Sequence, residues 1–453
     1  MRHAPQGSPQ IPVPQLTAME HARVISRVLG SPILKGPIIR RPKAVNLAER
    51  LNLDSAGVDE LKQLRAKYGS GPVQLQLFPG RRVAILLDPD DVHRVLNDTP
   101  DPFSPASLEK RGALNHFQPS GVLVSNPQQR QQRRPFNEAA LEAGQTVHSH
   151  AETMTRAIRE EVDALRGHLD FTETLAWEAF SQMWWRIVRR ITLGDSARND
   201  TQVTNDLNDL RARGNLSYLV PKNRTQRRRF LTTLRRYVEQ AEPGSLAAMA
   251  ASVPATNKTV PEQQIPQWLF AFDAASWAAF RALSLLAVAP GTAAIARDEA
   301  ETSFPDLPQL RAVMLESLRL WPTTPMILRE ARETTVWRNG TLDAGTSVLI
   351  FAQFFTATTR LFPKPTDSHP NCGCRTVTIR TGHWYRLAVG RDFARAETSC
   401  CSPPRWCWPK CCSTMTSRLI RQRPNRWTSR TYPVRSARSP HALPCTGAKL
   451  QPD

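Results

Sequence analysis

A break in composition near Thr356 limits what this chain can fold into more than any other feature. All eight cysteines (Cys372, Cys374, Cys400, Cys401, Cys407, Cys411, Cys412 and Cys445) lie beyond it. The last 98 residues hold 17 Lys+Arg against 4 Asp+Glu, whereas residues 1–355 hold 43 against 36. Most of the net charge of +20 therefore sits in the tail, scattered among Pro, Ser, Thr and Cys. A nucleic-acid footprint gathers its cations on one stripe or face, so this excess does not call for a nucleic-acid partner. Three regions are expected: a Pro-rich leader over 1–45, a folded domain over 46–355, and a basic, Cys-rich tail over 356–453 without a packed core.

The front region contains no cysteine, which suits a cytoplasmic chain that uses no disulfides. Its start, Met1 to Leu16, is polar and rich in Pro and Gln, with no apolar core of a secretory signal. The stretch Trp268 to Pro290 is apolar enough to raise the question of a membrane span. Asp273 and Arg281 interrupt it where charge is expensive in lipid, so a buried core helix is expected and no span.

The expected fold class is mainly α with small β-sheets. A helix is expected from Ser55, a possible N-cap, to Tyr68; alternating strands over Val73 to Phe78 and Arg82 to Leu87 flank a Pro79-Gly80 turn. Asp88-Pro89 opens a short helix. Residues 99–125 read as a long loop, the kind a compact domain keeps over a ligand site. From Asn126, with Pro127 at the first helical position, periodicity predicts helices at 127–143, 147–165, 172–193, 202–213, 225–241, 261–289 and 308–320. Strand patterns return at Glu333 to Trp337 and Thr346 to Phe351, with a turn at Asn339-Gly340.

Glu316 and Arg319 stand three apart on a helix and can pair, which by itself describes many solvated surfaces. Their context is more specific: Leu315-Glu-Ser-Leu-Arg-Leu-Trp-Pro322, followed by Met326-Ile-Leu-Arg329-Glu and then an expected hairpin over Trp337 to Phe351. This order resembles the cytochrome P450 family, the haem-thiolate monooxygenases, over residues 46–355. The resemblance assigns Glu316 and Arg319 to the family's structural Glu-x-x-Arg pair and Arg329 to a haem propionate. Upstream, Gln129-Arg130-Gln-Gln-Arg133-Arg134-Pro-Phe-Asn resembles the family's His-x-x-x-Arg helix, with Gln129 where most members carry His and Arg133 as the propionate anchor. Phe270-Ala-Phe-Asp273-Ala274-Ala275-Ser276 resembles the helix crossing the distal face of the haem. Asp273 is then the candidate catalytic acid, although Ala274 replaces the Thr that normally follows it. The implied cofactor is haem; the implied partners are a small lipophilic substrate and a ferredoxin or reductase electron donor.

The family's Gly-rich loop with its single Cys ligand to iron does not occur in this sequence. Glu397-Thr-Ser-Cys-Cys-Ser-Pro-Pro404 stands near the expected position without the glycines. Joining the last base of each codon to the first two of the next explains the loss. Asn371-Cys372, Cys400-Cys401, Cys407-Trp408 and Cys411-Cys412 then each force Leu, Trp406-Cys407 forces Val and Trp408-Pro409 forces Ala. The segments Phe355 to Thr359 and Pro365 to Cys374 permit the family's approach to its haem loop. Thr381 to Thr398 permits a Phe-Ser-Gly-Gly…Cys-Pro-Gly loop, the Cys arising from Phe393-Ala394, and Thr398 to Ser413 continues as an apolar helix. The tail is thus read as the enzyme's own end out of frame, a pseudogene product that is catalytically dead as written. The alternative is a basic, Cys-rich metal- or nucleic-acid-binding protein, although the tail contains no Cys-x-x-Cys pair.

Overall fold

The computed structural model describes residues 11–78, 80–169 and 175–357. The tail, with all eight cysteines and the out-of-frame reading, lies outside the described residues. So does Thr172, where one helix was expected to start.

Seven strands are present among the described residues: β1 (Val73–Phe78), β2 (Arg81–Ile85), β3 (Phe103–Ser104), β4 (Met326–Ala331), β5 (Thr335–Trp337), β6 (Gly340–Leu342) and β7 (Ser347–Phe351). The expected hairpin forms as antiparallel β1 and β2, with a bulge between Gln76 and Phe78. The order of the five-stranded sheet is β1-β2-β7-β4-β3. β7 runs parallel to β2 and antiparallel to β4, so it does not close a hairpin with Trp337 as the sequence order suggested. Trp337 instead pairs with Gly340 across the β5–β6 turn. All five residues of β7 are buried, as a strand covered on both faces requires.

Helices make the rest. Asn126 caps the helix Pro127–Ala140 through a reciprocal capping box with Gln129. Asp88 caps Pro89–Asn97 by accepting from the Asp90 N–H. Both carboxylate oxygens of Glu299 take orphan N–H groups at the start of the helix Pro308–Leu320, from Gln309 at 2.7 Å and Leu310 at 3.0 Å. The expected helix over 261–289 begins as a short 3-10 turn, continues as the central helix Ile265–Ala287, and gives way to a second helix, Pro290–Thr302. Pro290 forces the division: the residue before a proline is pushed out of the helical region, and Ala289 sits at φ −130°, ψ 70°.

Two expectations of irregular chain are corrected. Within the supposed leader, residues 18–35 are helical, and Val13, Val24 and Val28 are buried against the sheet. The supposed loop 99–125 contains β3, the helix Leu108–Leu114 and a 3-10 turn at Val122–Val124. A further short helix, Leu246–Ser252, was missed. Two apolar cores result, one under the sheet around Ile85, Leu349 and Phe351, the other among the helices around Phe117, Phe180, Phe230 and Trp268. The central helix is the one described helix long and apolar enough to cross a membrane, and only 33% of its most apolar 18-residue stretch is buried. The expectation of a buried core helix is met in part only.

Candidate functional site

β4 carries Arg329 into the interior, where it is 1% exposed. Its Nε donates to Thr99 Oγ1 at 3.0 Å and its Nη1 to the Leu328 carbonyl at 3.0 Å, while its Nη2 has no hydrogen-bond partner among the described residues. Burial first, and the nearby Arg130 second, push its pKa down to about 10. Lys110 donates from Nζ to the same Leu328 carbonyl at 3.2 Å. Desolvation, then Arg329 and Arg130, hold the Lys110 ammonium well below its usual value. Glu109 offsets only part of this, since Arg81 already binds it at 2.7 Å. Lys110 and Arg329 thus meet at one carbonyl, with Arg130 within electrostatic reach and a guanidinium nitrogen left over. An arrangement that mutually destabilises its own charges and orphans a donor is compensated by an anion with several acceptor oxygens.

Gln129 and Arg133 are not part of this cluster. Gln129 caps its own helix, and Arg133 donates to the Lys258 carbonyl at 2.8 Å, Ser125 Oγ at 2.9 Å and Gln129 Oε1 at 3.3 Å. The group within electrostatic reach of Arg329 is Arg130, three residues before Arg133 on the same buried side of the helix. The basic run is visible in the sequence, but which of its members lies near Arg329 depends on the rotation of the helix against β4. Lys110 had no signal at all, because its helix lies in the segment read as loop.

Glu316 and Arg319 pair as expected, through two parallel bonds of 2.8 and 2.7 Å. This fork geometry is the strong form of a carboxylate–guanidinium contact. Arg319 also donates to the Thr356 carbonyl at 3.3 Å, which ties the helix Ala352–Ala357 against this pair. Next to it, Ser317 Oγ donates to the Ala278 carbonyl of the central helix at 2.8 Å.

Asp273 is not a lone acid. Its Oδ2 accepts from Arg211 Nη2 at 2.6 Å, and Arg211 is 1% exposed, stacked with its guanidinium 4.7 Å from the Phe270 ring centroid. Arg211 also donates to the Ile38 carbonyl at 3.1 Å, so one side chain joins the helix Thr201–Gly214, the central helix and the segment around Ile38. Removing one partner of such a pair strands the other charge. In a chain restored to its full core, Asp273→Ala is expected to cost about 3 kcal/mol in urea unfolding, the low end of that range because Asp273 remains 18% exposed. The double variant Arg211→Met/Asp273→Leu is expected to recover most of it; an unchanged midpoint for Asp273→Ala alone would show that the pair carries no stability.

The sequence model of the cytochrome P450 family matches residues 292–371, which includes the Glu316–Arg319 pair and Arg329. Among solved structures, this chain is similar to a crystal structure of a cytochrome P450, CYP102L1, with a TM-score of 0.54 and 17% identity over 86% of this chain and 92% of that one. It is also similar to the retinoic acid-bound cyanobacterial CYP120A1, with a TM-score of 0.55 and 16% identity over 80% of this chain and 86% of that one. The chain thus has the cytochrome P450 fold over most of its length, and its residues 292–371 match the sequence model of that family.

Proposed function

We propose that the described residues are the body of a haem-dependent monooxygenase acting on a small lipophilic substrate, and that the chain as written does not carry out the reaction. The observation that carries the first half is the cluster of Lys110, Arg130 and Arg329, whose spare Arg329 Nη2 fits a propionate carboxylate. When bound, the haem would supply dioxygen activation, with electrons delivered by a ferredoxin or reductase. The chain's part is positional. Arg329, Arg130 and Lys110 would hold the acidic edge of the cofactor, the Glu316–Arg319 fork braces the helix Ala352–Ala357 through the Thr356 carbonyl, and the central helix would line the pocket. Asp273, tied to Arg211, is proposed to hold the pocket wall rather than to move protons by itself.

The second half rests on the donor set. The residues that fit the propionates are present, whereas residues 1–355 contain no cysteine to serve as the axial thiolate. The loss of frame is proposed to lie near Phe355, where the composition changes. No observation on the described residues favours the metal- or nucleic-acid-binding alternative.

The gene itself tests the frame. A one-base correction near Phe355 is expected to open a frame encoding Phe-Ser-Gly-Gly and Cys-Pro-Gly. A stop codon within about thirty shifted codons, roughly a helix plus a loop, would overturn the reading.

A further inference from the structure

Arg329 is fixed by a distant hydroxyl as well as by its own strand. Thr99, 3% exposed, stands two residues past the helix Pro89–Asn97 and donates from Oγ1 to the Val95 carbonyl at 2.8 Å. A hydroxyl has one proton to give. With that proton committed to Val95, the Thr99 oxygen offers only lone pairs, and the Arg329 Nε–H takes one of them at 3.0 Å. The Leu328 carbonyl accepts from Nη1, also at 3.0 Å. Two acceptors on two different nitrogens fix the plane of a rigid guanidinium, and Nη2 is the nitrogen they leave over.

The neutrality of Thr99 matters as much as its place. The acids near it in sequence and on β4 are engaged by other arginines: Asp98 by Arg94 at 4.0 Å, Asp101 by Arg332 at 3.1 Å, and Glu330 by Arg81 at 3.4 Å. A carboxylate in place of the hydroxyl would hold the guanidinium equally well and cancel its attraction for an anion. Thr99 instead holds the cation and leaves its charge uncompensated. A threonine bonding the carbonyl four residues back is a common local habit, and it accounts for the Val95 bond. It does not account for a cation 230 residues away, 1% exposed, on the same oxygen.

We infer that Thr99 is a positioning residue for the acidic edge of the cofactor: without touching the carboxylate, it sets the Arg329 guanidinium so that Nη2 is the donor left for a propionate. This rests on the haem reading above and deepens it.

The test compares the affinities of the full chain for iron protoporphyrin IX and for its propionate dimethyl ester, followed by quenching of tryptophan fluorescence. The ratio of the two cancels apolar adsorption, and the basic tail favours the free acid equally in every variant. Thr99→Val, close in shape but without the oxygen, is expected to lower the ratio about ten-fold, most of the way to Arg329→Leu. Thr99→Ala carries the same expectation and serves should the valine variant not fold. Thr99→Ser restores the oxygen and should keep the wild-type ratio. In an Arg329→Lys background, which has no Nε–H, Thr99→Val should leave the ratio unchanged. A merely structural role would lower the urea midpoint without moving the ratio. A wild-type ratio in Thr99→Val or Thr99→Ala, or a ratio lost in Thr99→Ser, would overturn the inference while Arg329→Leu still lowers it. A ratio that Arg329→Leu leaves unchanged would overturn the haem reading and the inference with it.

Discussion

Reduced and treated with carbon monoxide, the chain as written is expected to show no long-wavelength Soret band, and the frame-corrected chain is expected to show it in full. That band requires a thiolate held in one orientation on the iron. A thiolate in turn needs a scaffold that lowers its pKa and supplies hydrogen-bond donors to the sulfur. Cys400 and Cys401 are followed by Ser402-Pro403-Pro404 and have no glycine nearby to let backbone N–H groups approach. Changing the restored Cys to Ala should abolish the band in the corrected chain. Arg329→Leu should leave its position and reduce haem retention, because the cluster then loses the cation with a spare donor. The band in the uncorrected chain would show that one of the written cysteines serves after all, and the proposal of inactivity would be withdrawn.

The second large effect is on cooperativity. The central helix, Pro290–Thr302 and Pro308–Leu320 pack on one another, yet Leu283 is 45% exposed, Val288 37%, Ile295 60%, Leu315 40% and Trp321 39%. Completing the burial of each would contribute on the order of 1 kcal/mol. The sum is of the same order as the roughly 5–15 kcal/mol by which a whole domain is stable. An apolar helix after the ligand loop, as the shifted reading of Thr398 to Ser413 provides, would cover such a surface; Pro403-Pro404-Arg405 in the written frame lacks both the periodicity and the apolar content. The written chain is therefore expected to bind an apolar dye such as ANS and to unfold over a broad urea range. The corrected chain should unfold sharply and bind little dye. A sharp transition without dye binding in the written chain would count against a missing cover.

Local features were legible because their causes are local. The cap at Asn126, the proline at the start of Pro308–Leu320 and the alternation in Val73–Phe78 depend on interactions within about four residues, and each element appears where the pattern placed it. Glu316 and Arg319 were legible for the same reason: three residues apart on a helix, they meet whatever the surroundings. Residues 99–125 and 11–45 were misread because their short elements are fixed by burial against distant partners. Glu330, for example, accepts from the Leu108 N–H at 3.3 Å across 222 residues.

What the sequence alone determined is the order of helices and strands, the Glu316–Arg319 pair, the identity of Arg329 as a strand-borne cation, and the place where the chain stops resembling itself. Tertiary structure alone decided the neighbours of these side chains. It set Arg130 within electrostatic reach of Arg329, brought Lys110 to the Leu328 carbonyl, and gave Asp273 a buried partner 62 residues away in Arg211. The physical reason is range. Periodicity and caps are written in neighbouring residues, but a buried charge is placed by whichever distant group repays its desolvation, and that choice is made only when the elements pack.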